Sequence, residues 1–303
     1  MGRNHTAGYT QWSIDFNQVM AFKNNLKKAF PIYVLMALIT GCAQSPYDRA
    51  FTNREYKIVE QSAYFKHFVI EHFVAQHIVT GPSLSEQRDE LHIYIEGDGS
   101  PWIGDQPARD PTPSNPLALE LMYQDSSAAI YLGRPCYFNH YAIGADPHCA
   151  TSDWTNARYS QQIIDDIRTV ATRYIVEKNP RRVVLIGYSG GGTIATLIAC
   201  ALPKPVTLIT VAANLDTEQW TALHNFSPLS LSLNPVDVFK PCADLTQHHF
   251  AGANDNNVPV AITKTFTDRF NAPLIILKGV DHTCCWVALW SQLLSSVLAR
   301  HKQ

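Results

Sequence analysis

Val183-Val184-Leu185-Ile186-Gly187-Tyr188-Ser189-Gly190-Gly191-Gly192 runs from a continuous apolar segment into a glycine-rich turn, and Thr193–Ala201 after it reads as a helix. Four apolar residues without polar alternation suit a strand covered on both faces, the condition inside a parallel sheet. A serine on a sharp strand-to-helix turn is lifted clear of the sheet, and the N–H that follows it can face an oxyanion. Gly187 and Gly191 remove a Cβ where neighbouring elements would clash with it. The pattern therefore points to a nucleophile at Ser189. A phosphate cradle is the competing reading, but no Lys-Ser/Thr pair follows the glycines and there is no Gly-x-Gly-x-x-Gly spacing.

Outward from this stretch the chain alternates. Phe65–Ile70, Phe73–Val79, Leu91–Glu96, Ala128–Leu132, Val206–Val211, Thr246–Phe250 and Leu274–Leu277 read as strands. Tyr159–Glu177 carries apolar residues at helical spacing and is stopped by Asn179-Pro180; Val260–Phe270 and Cys284–Ala299 also read as helices. Residues 100–127 and 221–241 read as loop-rich insertions. Strand–helix alternation predicts an α/β fold with a mostly parallel central sheet covered by helices on both faces, in one domain over 63–303.

A serine hydroxyl is a poor nucleophile at neutral pH. It needs an imidazole to take its proton and a carboxylate to hold the imidazole's tautomer. His282 follows the strand Leu274–Leu277, so it lies at the sheet edge where Ser189 emerges; His248-His249 fall inside a strand and His301 in the tail. Two acids also follow strands. Asp255 comes one strand before His282 and is preferred on that position; Asp216, after Val206–Val211, is the alternative and could instead cap the helix beginning near Thr217. For the oxyanion, Glu96-Gly97-Asp98-Gly99 follows a strand, and the expected donors are the N–H groups of Asp98 and Gly190. A tight Asp-Gly hairpin turn is the competing reading of that segment.

Taken together, Tyr94–Gly99 with Pro101-Trp102, Gly133-Arg134-Pro135-Cys136-Tyr137, Gly187–Gly192, Asn214-Leu215-Asp216 and Asp281-His282-Thr283-Cys284-Cys285-Trp286 make the chain, from about residue 90 to 295, resemble a bacterial lipoprotein of the α/β-hydrolase fold. The resemblance implies a serine-hydrolase triad but gives no substrate; because most uses of this fold are esterolytic, the expected activity is hydrolysis of carboxylic esters through an acyl-enzyme, with no cofactor and no metal. It leaves open an acyltransferase or peptidase on the same triad, or a non-catalytic binding lipoprotein. Many such hydrolases carry His-Gly where this chain has Glu96-Gly97. A zinc reading of His282, Cys284 and Cys285 fails on spacing. The proline- and aromatic-rich stretch Pro101–Pro116 is expected to cover the site or pack on the sheet edge.

The N-terminal stretch has a different character. Lys23, Lys27 and Lys28 precede an apolar run from Ala29 to Thr40, too short to span a bilayer, which needs about 20 residues. The run ends in Leu38-Ile39-Thr40-Gly41-Cys42, which resembles a bacterial lipobox. Residues 1–41 are thus expected to be a signal segment, with a start at Met20 fitting it better, and 42–62 a polar tether lipidated at Cys42. The expected location is the bacterial cell envelope. Ala43 rather than Asp after the cysteine favours, by resemblance to known lipoproteins, the outer membrane facing the periplasm.

The chain has 24 basic and 26 acidic residues and is 46% hydrophobic, a globular composition. Removing the leader takes Arg3, Lys23, Lys27 and Lys28 but only Asp15, which leaves 20 against 25, a net charge of −5. That balance weighs against nucleic acid as a partner; the expected partners are a small acyl substrate and, through Cys42, a membrane. Oligomeric state is left open. Of seven cysteines one is assigned to lipid, and six remain for disulfides in an oxidising compartment. Cys136 and Cys149 are the first candidate pair. Cys200 could meet Cys242, and Cys284-Cys285 would be a vicinal pair or two free thiols.

Overall fold

Uninterrupted apolar strands need cover on both faces, and the helices packed around the sheet supply it. A computed structural model describes residues 46–53, 56–59, 64–72, 90–139 and 145–299. The chain divides into two units, Met1–Gln44 and Ser45–Gln303, and all the described residues belong to the second. The expected signal segment 1–41, Cys42 and the strand expected over 73–79 lie outside the described residues.

In chain order the elements are α1 (Pro46–Asn53), β1 (Tyr56–Val59), β2 (His67–His72), β3 (Glu90–Ile95), a two-stranded hairpin of β4 (Trp102–Ile103) and β5 (Gln106–Pro107), α2 (Leu117–Tyr123) and β6 (Ala129–Leu132). A short 3₁₀ turn, Thr151–Trp154, precedes α3 (Gln161–Lys178), β7 (Arg182–Tyr188), α4 (Gly190–Ile198), β8 (Val206–Val211), α5 (Thr217–His224) and α6 (Pro235–Val238). The chain continues through β9 (Leu245–Gly252), α7 (Val260–Phe270), β10 (Leu274–Leu277) and α8 (Trp286–Leu298).

Eight of these strands form one sheet in the order β1-β2-β6-β3-β7-β8-β9-β10. From β6 to β10 every pair is parallel; β1 and β2 close one side antiparallel. Val183, Val184, Leu185 and Ile186 of β7 are fully buried at the centre of this sheet, each contributing about 1.5–3 kcal/mol of apolar burial. The parallel run has one consequence for chemistry. All its carboxyl ends lie on a single edge, so the loops after β3, β7, β8, β9 and β10 gather there from distant parts of the sequence.

Helix α3 shows how local signals set boundaries. The Ser160 side chain accepts from the Ile163 N–H at its start, and Asn179 takes the left-handed conformation at its end, as a small polar residue before Pro180 can. One sequence reading is corrected. Residues 42–62 are not wholly a tether: α1 and β1 belong to the fold. Tyr47 is buried edge-on against Phe68 and Phe138, with its hydroxyl 3.1 Å from that of Tyr131. The segment looked polar because Tyr47 and Ala50, which face the core, are set among polar neighbours. The loop-rich insertion 100–127 holds the β4–β5 hairpin and helix α2. That helix begins at Pro116 with no side-chain cap of its own; the Glu96 carboxylate, far off in sequence, accepts from the Ala118 and Leu119 N–H groups instead. The region 221–241 likewise holds the end of α5 and all of α6.

At the opposite edge of the sheet a polar network is buried. Asp125 Oδ2 lies 2.5 Å from His92 Nδ1 and accepts from the Tyr94 hydroxyl at 2.6 Å, and Trp290 Nε1 donates to that hydroxyl at 3.1 Å. Burial opposes the charge on His92, but its bonds to Asp125 and Glu90 raise its pKa. Stability from this pairing is therefore complete below His92's ordinary 6.5 and is lost as pH rises through the raised value. Asp125→Ala is expected to cost about 3–5 kcal/mol in urea unfolding at pH 6, because it strands a buried partner. The deficit should narrow at pH 9.

Candidate active site

Ser189 sits between β7 and α4 with φ 51° and ψ −122°, a strained backbone for a residue with a side chain. The strain is held by close approach. A Cβ on Gly187 would meet the Gly191 backbone, and one on Gly191 would meet the carbonyl oxygens of Ile95 and Glu96. The Ser189 N–H donates to the Val211 carbonyl at 2.9 Å, which ties the turn to β8. Ser189 is left partly exposed.

Its hydroxyl lies 3.1 Å from His282 Nε2, and His282 Nδ1 lies 2.8 Å from Asp255 Oδ2. Three loops are needed for this. Asp255 leaves β9 in a turn where its Oδ1 accepts from the Asn257 and Val258 N–H groups at 2.9 and 2.7 Å, so one oxygen anchors the loop and the other faces the imidazole. The Asn254 N–H donates to the Val280 carbonyl, strapping the acid loop to the histidine loop. The carbonyl of His282 accepts from the Tyr188 hydroxyl and from Trp286 Nε1, both at 3.1 Å. The carboxylate of Asp255 is fully buried while the His282 side chain is 14% exposed, so the imidazole is the member that meets solvent. An open cleft of about 470 Å³ borders it, lined by Asn254, Asn256, Asn257, Asp281, His282 and Thr283. Ser189 is not among those lining residues.

The structure does not bring Asp216 to His282. Its side chain accepts from the Gln219 N–H at 3.1 Å as the N-cap of α5 and bonds Asn234. The segment Glu96–Gly99 does not close a hairpin either, because β3 has only parallel neighbours. A Cβ on Gly97 would crowd the Ser189 Cβ and the Tyr188 ring, and one on Gly190 would run into Asp98 Oδ1 and the Tyr159 hydroxyl. Asp98 and Gly190 are therefore immediate neighbours beside Ser189. His249 is buried in β9, its Nδ1 2.8 Å from the Thr210 hydroxyl. Burial, with a smaller push from His248, lowers its pKa to about 3.

The side chains around Asp98 carried no assignment from sequence. Its carboxylate pairs with Arg134, accepts from Arg158 Nη1 at 3.0 Å and from the Tyr159 hydroxyl at 2.6 Å, while the Tyr137 hydroxyl donates to its carbonyl at 2.9 Å. Burial would raise the Asp98 pKa, but the two guanidiniums override it and hold it at about 2, below the ordinary 3.8. A depressed carboxylate contributes stability above its unfolded pKa and loses it as pH falls through the folded one. Between pH 5 and pH 2 the wild type should thus lose about 2 kcal/mol relative to Asp98→Asn, read from urea midpoints. The lone sequence signal was an arginine in the Gly133–Tyr137 stretch; burial of charge leaves no periodic trace.

Disulfides join Cys136 to Cys149, Cys200 to Cys242 and Cys284 to Cys285. The first ties the Arg134 turn to the segment before Arg158. The third stands two residues after His282 and takes up both thiols that a zinc site would have used. Among the described residues, no group of three or more His, Cys, Asp or Glu side chains converges as a metal site would, and no helix is long and apolar enough to cross a membrane.

No family model and no curated protein sequence matches the chain. Solved structures match its fold. A protein of unknown function from Agrobacterium tumefaciens, assigned as an α/β hydrolase, aligns over 82% of this chain and 96% of its own with a TM-score of 0.52 and 12% identity. An α/β serine hydrolase without a lid from Xanthomonas campestris aligns over 81% and 94%, TM-score 0.51, 15% identity. A puromycin-hydrolysing peptidase of Mycobacterium tuberculosis aligns over 80% of this chain at TM-score 0.54 and 12% identity, and the match spans 38% of that longer chain. At these identities the likeness shows the fold, which is the α/β-hydrolase fold.

Proposed function

We propose that the chain is a serine hydrolase acting on carboxylic esters, with Ser189, His282 and Asp255 as its triad. The observation that carries this reading is the continuous relay from the strained Ser189 through His282 to the buried Asp255. His282 takes the hydroxyl proton as Ser189 Oγ attacks the acyl carbon, forming the new C–O bond as the carbonyl electrons move onto oxygen. The Asp98 and Gly190 N–H groups hold that oxyanion. Collapse expels the alkoxide, which takes the proton from His282, and leaves an acyl-enzyme. Water, deprotonated by His282, then releases the acid and restores Ser189. Asp255 keeps the imidazole in the tautomer with Nδ1 protonated and stabilises its charged form.

The proposal extends to the N-terminus, where the lipobox-like Leu38–Cys42 supports a mature chain that begins at Cys42, is lipidated there and works in the bacterial envelope. A fluorophosphonate probe with an ester panel tests the enzyme reading. Labelling of Ser189 with turnover of p-nitrophenyl esters supports it, and no label on folded protein defeats it. The fold likeness to a puromycin-hydrolysing peptidase motivates a second reading, hydrolysis of amides. Rates on p-nitroanilides at or above those on matched esters would select it. Mass spectrometry of the protein expressed in a bacterium tests acylation of Cys42.

A further inference from the structure

The cluster around Asp98 is more than the proposed triad requires. A carboxylate beside Gly190, one residue from the nucleophile, is the wrong sign for a site that must accumulate negative charge on an acyl oxygen. Bare, it would repel the oxyanion. Two buried guanidiniums face it, with side-chain exposures of 1% for Arg134 and 6% for Arg158. The three groups together carry one net positive charge. Arg134 Nη2 also donates to the Arg158 carbonyl at 3.0 Å, and Arg158 Nε to the Thr155 carbonyl at 2.6 Å, so neither arginine is free to swing away. The rings of Tyr137 and Tyr159 flank the Arg134 guanidinium at 5.0 and 5.4 Å. Asp98 is gripped at both ends, by its carboxylate and, through Tyr137, by its carbonyl.

We propose that Arg134 and Arg158 are positioning residues for the oxyanion site: through Asp98 they fix the Gly97–Asp98 backbone against Ser189 and reverse the sign of the charge beside Gly190. The proposal rests on the serine-hydrolase reading above. It also gives the Cys136–Cys149 bond a task, since that bond closes the loop between the two arginine-bearing segments. A group acting in this way stabilises the tetrahedral state more than the bound ester, so its loss falls on kcat and not on KM.

The test compares wild type, Arg158→Gln and Arg158→Lys in the full mature chain. Steady-state rates on p-nitrophenyl butyrate are measured with inhibition by phenylboronic acid, which forms a tetrahedral adduct on the serine, and with thermal melting. Arg158→Gln is expected to lower kcat about 10–100-fold, to leave KM within about twofold, and to weaken phenylboronic acid by a factor similar to that on kcat. Arg158→Lys restores the charge and should recover most of the loss, a pattern that a packing defect does not produce. The inference is overturned if Arg158→Gln retains wild-type kcat, or if its loss is not matched by the boronate and not relieved by lysine. Wild type that takes no fluorophosphonate label overturns the parent reading along with it; labelled, active wild type with an unaffected Arg158→Gln overturns this inference alone.

Discussion

A Ser189→Ala variant is expected to lose about 10⁴-fold or more in kcat on p-nitrophenyl esters and all fluorophosphonate labelling, with unfolding midpoints close to wild type. The size follows from chemistry. Without Oγ there is no covalent intermediate, and what remains is hydrolysis aided by whatever oxyanion donors and binding the site retains. The fold should tolerate the change, because the strain at Ser189 is imposed by Gly187, Gly191 and the Val211 hydrogen bond and not by the hydroxyl. An alanine at this position takes up the same backbone. A variant that keeps more than about a hundredth of wild-type kcat would place the nucleophile elsewhere, and peptide mapping of the probe would find it.

The second large effect separates two aspartates. Asp255→Asn is expected to lower kcat by about 10³–10⁴-fold. The amide can still accept from the Asn257 and Val258 N–H groups, so the loop survives. Its NH₂ can face Nδ1, however, which favours the tautomer with the proton on Nε2 and removes the base from Ser189. Asp216→Asn should stay within about threefold of wild type and cost at most about 1 kcal/mol of stability, since asparagine caps a helix nearly as well. The opposite ranking of the two variants would transfer the role to Asp216. Both variants need only a p-nitrophenyl butyrate assay at neutral pH and a urea curve.

Much of this arrangement is legible in the sequence. The Val183–Ile186 run followed by Gly187–Gly192 specifies strand, turn and helix together, because each depends on residues within a few positions. Val206–Val211, Val260–Phe270 and Leu274–Leu277 occur with the boundaries expected of them, for the same reason. Asp255 and His282 could be ranked by their place after strands. Where the reading stopped, the missing information was three-dimensional. Helix α2 has its cap on Glu96, about 20 residues away, so no local signal announces it. In α1 the hidden ring is Tyr47, and its apolar surroundings come from β2, β6 and the turn after β6.

The arginines make the contrast sharpest. Arg134 and Arg158 look in sequence like two ordinary surface cations flanking a disulfide loop; only the folded chain buries both against one carboxylate. By itself the sequence determined most of the central strands and helices, the mostly parallel character of the sheet, the serine turn and the lipobox-like Leu38–Cys42, because periodicity, glycine placement and motif spacing are local properties. The tertiary structure alone decided which aspartate faces His282, which caps α5, and what surrounds Asp98. Those outcomes depend on where loops from β3, β6, β7, β9 and β10 meet at one sheet edge and on which way each side chain turns when they do.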